Sequence, residues 1–214
     1  MSGPPGGGKT TLAHALADAL GRPVVCRNEI KERMAAVEPG PGPGPGPGPG
    51  AGPASSLDGD LDRRTLAAFF RILGEHLRAG TDPVAESAFQ DRLWRPGLAP
   101  LLGLADLRIV RCVVAPEVAR TRIARRAAES PARAVHADAE LLRRIARGER
   151  PIESWVPIAL DAPCLVVDTT RGWDPPLERI AAFAAGVDAG TGTGIDTGAD
   201  AGPPGREGNH GPSV

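Results

Sequence analysis

The string Gly3-Pro4-Pro5-Gly6-Gly7-Gly8-Lys9-Thr10 satisfies G-x-x-x-x-G-K-[ST], the P-loop pattern. Its glycines let the backbone bend so that successive N–H groups point inward at phosphate oxygens. Lysine at the seventh position reaches β/γ-phosphates, and the Thr10 hydroxyl is a ligand for Mg²⁺. Lys9 and Lys31 are the lysines among 25 Lys and Arg residues. A compact ammonium inside an otherwise arginine-based set of cations suits a point-charge role. A Gly/Pro-rich turn before a helix is the bland alternative. The helical pattern beginning at Thr10 favours the phosphate reading, because the motif needs a helix N-terminus. Residues Gly3, Gly6, Gly7, Gly8, Lys9, Thr10 and Thr11 are therefore the expected nucleotide contacts, with ATP and Mg²⁺ as expected cofactors.

Around that loop the chain alternates helices and strands. Thr10 to Leu20 has helical period and stops at Gly21; Pro23 to Arg27 is a short strand; Asn28 is a good N-cap for a helix to about Val37. Asp60 to Ala79 is helical, with Leu61, Leu66, Phe69, Phe70, Leu73 and Leu77 on its apolar positions. Val84-Ala85 is a weak strand ending at Glu86, and Leu107 to Val114 is the strongest strand. Helices follow from Pro116 to Ala128 and from Ala137 to Arg147. Pro163 to Asp168 is a last strand, and a helix runs from about Pro176 to Ala185. All-apolar strands alternating with helices predict a parallel α/β sheet covered on both faces. Only Met1 and Ser2 precede Gly3, whereas a P-loop normally hangs from a buried strand. The expectation is a sheet lacking its first strand, with the true start upstream.

Pro39 to Gly50 alternates Pro and Gly, extended by Ala51-Gly52-Pro53. It offers no side chains to bury and lacks every second amide donor, so residues 39–56 read as a disordered insert. Residues 187–214, rich in Gly, Thr, Asp and Pro, read as a disordered tail. The folded unit then spans 1–186.

Composition narrows the function. The 214 residues carry a net charge of −1, which gives no overall pull toward nucleic acid or anionic membrane. No apolar stretch reaches the ~20 residues that span a bilayer. Cys26, Cys112 and Cys164 are widely separated and each lies in an apolar run, which predicts three buried, reduced thiols rather than disulfides or a metal cluster. The expected compartment is the cytoplasm.

Ligands in such sheets sit beyond the carboxyl ends of the strands, where Lys9, Thr10, Asn28, Glu86 and Asp168 converge. Five segments in order carry a resemblance: Gly3 to Thr11, Arg27-Asn28-Glu29-Ile30-Lys31, Val84 to Phe89, the arginine-rich stretch with Arg133 and His136-Ala137-Asp138, and Val167 to Pro175. Together they resemble the small P-loop kinases of the AAA-domain type, related to chloramphenicol phosphotransferases, zeta toxins and polynucleotide 5′-kinases. The P-loop is specific; the other segments gain force from their order.

The resemblance implies ATP-dependent transfer of a γ-phosphoryl group to a hydroxyl. It places an aspartate after the second strand, to take the acceptor's proton, where this chain has Asn28. An amide cannot be that base, but it can orient an alcohol, and it can equally be a plain N-cap. Glu86 reads as a holder of Mg²⁺ through water or of the acceptor, against an exposed loop carboxylate. Arg120, Arg122, Arg125, Arg126 and Arg133 would form a lid, with Arg126 and Arg133 the residues expected at the transferring phosphoryl group, against a solvated helix face. His136 is a lid contact or exposed. Asp168 reads as a strand-end cap for Thr170, and Trp173 as packing or a cover for the adenine base. A small-molecule hydroxyl is the expected acceptor, and a polynucleotide 5′-end a lesser alternative, since no aromatic stacking platform accompanies the arginines. The competing reading, prompted by Asn28, is a nucleotide-binding protein or ATPase with weak or no phosphotransfer.

Overall fold

The computed structural model of the protein describes residues 1–37, 59–129, 138–149 and 155–187. The Pro-Gly insert, Arg133, His136 and the tail beyond Val187 lie outside the described residues.

Seven helices and four strands alternate in these residues. They are α1 (Lys9–Leu20), β1 (Val24–Cys26), α2 (Arg27–Val37), α3 (Asp60–Arg78), β2 (Val84–Glu86), α4 (Asp91–Leu98), β3 (Ile109–Val113), α5 (Pro116–Glu129), α6 (Asp138–Ala146), β4 (Cys164–Asp168) and α7 (Leu177–Ala185). The helix ends follow the expected punctuation. Gly21 closes α1 at φ 61°, its N–H bonding the Ala17 and Asp18 carbonyls, and Gly186 closes α7 at φ 74°. One boundary differs: α2 starts at Arg27, directly off β1, so Asn28 lies inside its first turn and is not its cap.

β1 pairs in parallel with β2 (Val24 with Val84, Cys26 with Glu86), and β3 pairs in parallel with β4 (Ile109 with Cys164, Val113 with Asp168). Met1 and Ser2 join the two pairs. The Met1 amine donates to the Ala85 carbonyl at 2.7 Å, and the Ser87 N–H reaches the Met1 carbonyl at 3.3 Å. On the other side the Ser2 N–H donates to Val110 at 2.9 Å and the Cys112 N–H donates to Ser2 at 2.8 Å. Among the described residues no full strand precedes the P-loop, in line with the expectation. A two-residue stub occupies the central position, in register with both neighbours, and feeds directly into the P-loop. Beneath it, a cavity of about 350 Å³ lies between β2 and β3, lined by Leu16, Leu20, Val84, Ala85, Ile109 and Val110 among others.

Side chains alternate across the strands and build two cores, one per face. Leu12, Ala13, Leu16 and Ala17 of α1 and Ile180 of α7 pack with Val84, Val110, Cys112 and Val167 on one face. Phe69 and Leu73 of α3 and Trp94 and Leu98 of α4 pack with Val25 and Ile109 on the other. Phe69, Phe70, Phe89 and Trp94 meet edge-on or tilted at 4.9–5.9 Å, so most of the chain's few aromatics sit in one cluster. Gly97 is there because α4 lies against Phe70: a Cβ at 97 would fall 2.1 Å from that ring. The expectation of full burial fails at β4, where Cys164 and Val166 are exposed. Cys26 and Cys112 are buried as expected, and all three cysteines are free thiols.

Candidate functional site

The P-loop is shaped by three positive-φ glycines. Gly3 (φ 147°) and Gly6 (φ 74°) pass so close to neighbouring backbone that a Cβ would stand 2.6 Å from the Cys112 and Ala119 carbonyl oxygens respectively. Neither position admits a side chain. Gly8, at φ 68°, turns the chain into α1, and the Gly7 N–H closes the loop on the Pro4 carbonyl at 3.1 Å. The remaining N–H groups at the start of α1 have no helical partner, which is the arrangement that receives phosphate oxygens.

Lys9 crosses this loop, its Nζ donating to the Pro4 carbonyl at 2.8 Å. Burial pushes its ammonium below the ordinary lysine value, while the nearby Glu86 carboxylate works in the opposite direction. A partly buried cation on a loop carbonyl is a group that gains strongly from an arriving polyanion. Next to it the Thr10 hydroxyl donates to Glu86 Oε2 at 3.3 Å, and Glu86 is 1% exposed at the carboxyl end of β2. A hydroxyl and a carboxylate side by side are hard oxygen donors of the kind Mg²⁺ takes. The exposed-loop alternative for Glu86 is therefore excluded.

Two further residues hold the loop from behind. Thr169, 2% exposed, donates its hydroxyl toward the Gly7 and Val113 carbonyls, both at 3.1 Å. The Arg122 guanidinium donates to the Gly6 carbonyl at 3.3 Å, to Thr169 Oγ1 at 3.2 Å and to the Thr169 carbonyl at 2.5 Å. Asp168 caps this corner as its sequence suggests, its Oδ1 accepting the Thr170 N–H at 2.7 Å, and Thr170 Oγ1 accepts the Ala115 N–H at 3.0 Å. Hydrogen bonding to Thr170, by its side chain first and its N–H second, holds the Asp168 carboxyl below the ordinary aspartate value.

With this geometry in view, sequence comparison is decisive. A family model described as an AAA domain matches residues 1–151. The chain belongs to this AAA-domain family. No curated protein matches it at significance. Among solved structures it is similar to a protein from Chloroflexus aurantiacus J-10-fl assigned to the kinases, at 26% identity and a TM-score of 0.58, covering 84% of this chain and 88% of that one. It is also similar to an unliganded sugar kinase from Janibacter sp. HTCC2649, at 20% identity and a TM-score of 0.54, covering 86% and 91%; that likeness shows the fold alone. The chain is a small P-loop kinase-like protein of parallel α/β architecture.

Across the AAA-domain site, the sequence-based residues fall into two groups. Gly3 to Thr11 and Glu86 come together as expected. Asn28 is half-buried, two residues past Cys26, whose register partner is Glu86. Arg126 makes a bidentate pair with Asp138 of α6, both bonds at 2.7 Å, and its charge is one of those that depress Lys9. Arg126 is thus within electrostatic reach of the loop, paired with a 6% exposed carboxylate. Arg133 is not among the described residues. Trp173 packs against the α1/α7 core, in line with the packing alternative.

Sequence reading passed over Thr169, and it placed Arg122 in the lid, whereas Arg122 braces the loop. It also passed over the pairing of Arg27 and Lys31 with Asp62 at 2.6 and 2.8 Å, which joins α2 to α3. Glu29 meets His14 Nε2 at 2.6 Å.

Proposed function

We propose that the protein is an ATP- and Mg²⁺-dependent phosphotransferase acting on a small-molecule hydroxyl. The observation that carries this reading is the Thr10 hydroxyl paired with the buried Glu86 carboxylate beside Lys9 at the mouth of a glycine cradle. It joins a phosphate grip to a hard-oxygen pair at the edge where an acceptor enters. Gly3 to Thr11 would hold the triphosphate, and Thr10 with Glu86 would hold Mg²⁺, which when bound neutralises charge on the β- and γ-oxygens.

The chain's own residues then do three things. The loop N–H groups and Lys9 fix the phosphate oxygens, so that the reacting phosphoryl group is presented in one orientation. Arg126, released from Asp138, supplies a second positive charge as the α5–α6 hairpin closes; Arg133 would act with it. Asn28 orients the acceptor hydroxyl by hydrogen bonding and takes no proton, so that proton passes to water or a phosphate oxygen. A loose transition state tolerates this, because little charge has built up on the attacking oxygen. No helix among the described residues is long and apolar enough to cross a membrane.

The test is γ-phosphate transfer from labelled ATP across a panel of hydroxyl metabolites, with a polynucleotide 5′-end included. Transfer to one acceptor class supports the proposal, and ATP turned over only to water overturns it. Asn28 specifically favours a second reading, in which the protein binds or slowly hydrolyses ATP with weak or no phosphotransfer. That reading expects nucleotide affinity with no acceptor found.

A further inference from the structure

Behind the Thr10–Glu86 pair, three side chains from three elements converge on one point. His14 comes from α1, Cys26 from the end of β1 and Glu29 from the first turn of α2. His14 Nε2 lies 2.6 Å from Glu29 Oε1 and 3.9 Å from Cys26 Sγ, and all three ligand atoms fall within 4.8 Å of one another. We infer that His14, Cys26 and Glu29 form a binding site for a thiophilic divalent cation of the Zn²⁺ class, separate from the Mg²⁺ position.

Donor chemistry supports this. One thiolate, one imidazole and one carboxylate are a borderline-to-soft set that suits Zn²⁺ or Co²⁺, whereas Mg²⁺ takes oxygen donors and keeps its water. Spacing supports it as well. Metal–ligand bonds of 2.0–2.3 Å in a tetrahedron separate nitrogen and sulfur by about 3.6 Å and nitrogen and oxygen by about 3.3 Å. The Cys26–His14 distance is already close to that, and the His14–Glu29 contact needs to open by less than an ångström. Both residues can give, since the His14 side chain is 45% exposed and that of Glu29 is 30% exposed. Cys26 is buried and cannot, so it sets the position of the ion.

The surroundings favour positive charge. Burial pushes the Cys26 thiol up and the Glu86 and Glu29 carboxylates add to that shift, so a bound cation is what would offset their charge. Arg33 reaches the second oxygen of Glu29 at 4.0 Å from an 81% exposed position, where it can swing away. On binding, the thiol proton leaves to solvent, His14 offers Nε2 as the unprotonated nitrogen of a neutral imidazole, and water completes the fourth position. Such an ion would tie α1, β1 and α2 together one side chain away from Glu86.

The experiment uses the untagged full chain after chelator treatment, titrated with Zn²⁺ against a chromogenic chelator in millimolar Mg²⁺, and with Co²⁺ as the spectroscopic probe. One ion per chain and a thiolate-to-cobalt absorption band are expected. Cys26→Ser should abolish the band, and His14→Ala should weaken Zn²⁺ by ~100-fold or more, at or beyond what loss of an outer-sphere partner costs. Cys164→Ser, at an exposed thiol far along the chain, should leave both readings unchanged. If Cys26→Ser fails to fold, Glu29→Gln and His14→Ala, both on half-exposed side chains, carry the test. The inference is overturned if no ion binds under Mg²⁺, if affinity survives His14→Ala and Glu29→Gln, or if it depends on Cys164.

Discussion

The two halves of the sheet do different work, and the difference lies in which part of the residue is used. The β3–β4 half holds the P-loop by the loop's own backbone: the Cys112 carbonyl abuts Gly3, α5 abuts Gly6, and the Thr169 hydroxyl and Arg122 guanidinium bond the Gly7 and Gly6 carbonyls. The β1–β2 half presents side chains: Glu86, Cys26 and, just beyond, Asn28 and Glu29. Met1 and Ser2 are the strand-level link between the halves, and α1 runs along both. A backbone grip leaves no room for a Cβ and so admits almost no sequence variation. A side-chain face can exchange one functional group for another without moving the chain, and Asn28 is the kind of residue such a face tolerates.

That contrast is broken most directly on the gripping side. Lys9→Ala removes the loop's partly buried cation and should lower phosphotransfer by ~10²–10³-fold, the usual cost of removing one preorganised charge-stabilising group. Gly6→Ala should go further and abolish nucleotide binding itself, since its Cβ would meet the Ala119 carbonyl at 2.6 Å. Titration with a fluorescent ATP analogue separates the two: Lys9→Ala retains measurable affinity, Gly6→Ala does not. Equal, mild effects from both would mean that the loop is not the phosphate site.

On the acceptor side the expected change is a gain. Asn28→Asp restores a group able to take the acceptor's proton, and general-base catalysis is typically worth ~10²–10⁴-fold. An increase of about tenfold or more in phosphotransfer, with a new dependence on an ionised carboxylate in the pH–rate profile, is the expected result. An unchanged rate with intact ATP affinity would favour the nucleotide-binding reading over the kinase reading.

Arg122 then tests the brace between loop and sheet. Arg122→Ala deletes donors to the Gly6 carbonyl and to both oxygens of Thr169. At about 0.5–1.5 kcal/mol per hydrogen bond, a stability loss of roughly 2 kcal/mol is expected by denaturant unfolding, with weaker nucleotide affinity. Arg122→Lys should not rescue it, because one ammonium cannot span what a planar fork spans. An Arg126→Ala chain is the contrast: its pair with Asp138 lies in the hairpin, so stability should fall less than phosphotransfer.

How much of this could be read from residues alone divides along the same line. The loop, the helix ends at Gly21 and Gly186 and the strand end at Glu86 are local patterns, set by φ, period and turn chemistry. What escaped needs three dimensions. Arg122 and Arg126 share one face of α5, and only the docking of that helix decides which braces the loop and which meets Asp138. The Arg27/Lys31–Asp62 pairing links residues on either side of the Pro-Gly stretch, and it gives α2 a polar buried face that no hydrophobic period announces. Likewise, Cys164 and Val166 look buried by type, yet they lie on the outermost strand of the β3–β4 pair.

The smallest effect sharpens the comparison at the corner that carries Thr169 and Thr170. Asp168 is exposed, and its carboxylate accepts the Thr170 N–H at 2.7 Å. Because hydrogen bonding to Thr170 holds its pKa below that of the unfolded chain, near 3.9 for a free aspartate, the native state favours the ionised form. The stabilisation is complete above the unfolded value and is lost as pH falls through the lower native value. Solvent screening at an exposed side chain keeps the contribution to a few tenths of a kcal/mol. Asp168→Asn should therefore lower stability slightly at pH 7 and make no difference in strong acid, by denaturant unfolding across that range. A deficit that persists unchanged in acid would show that Asp168 supports the corner without its charge, and that the pH-dependent account is wrong.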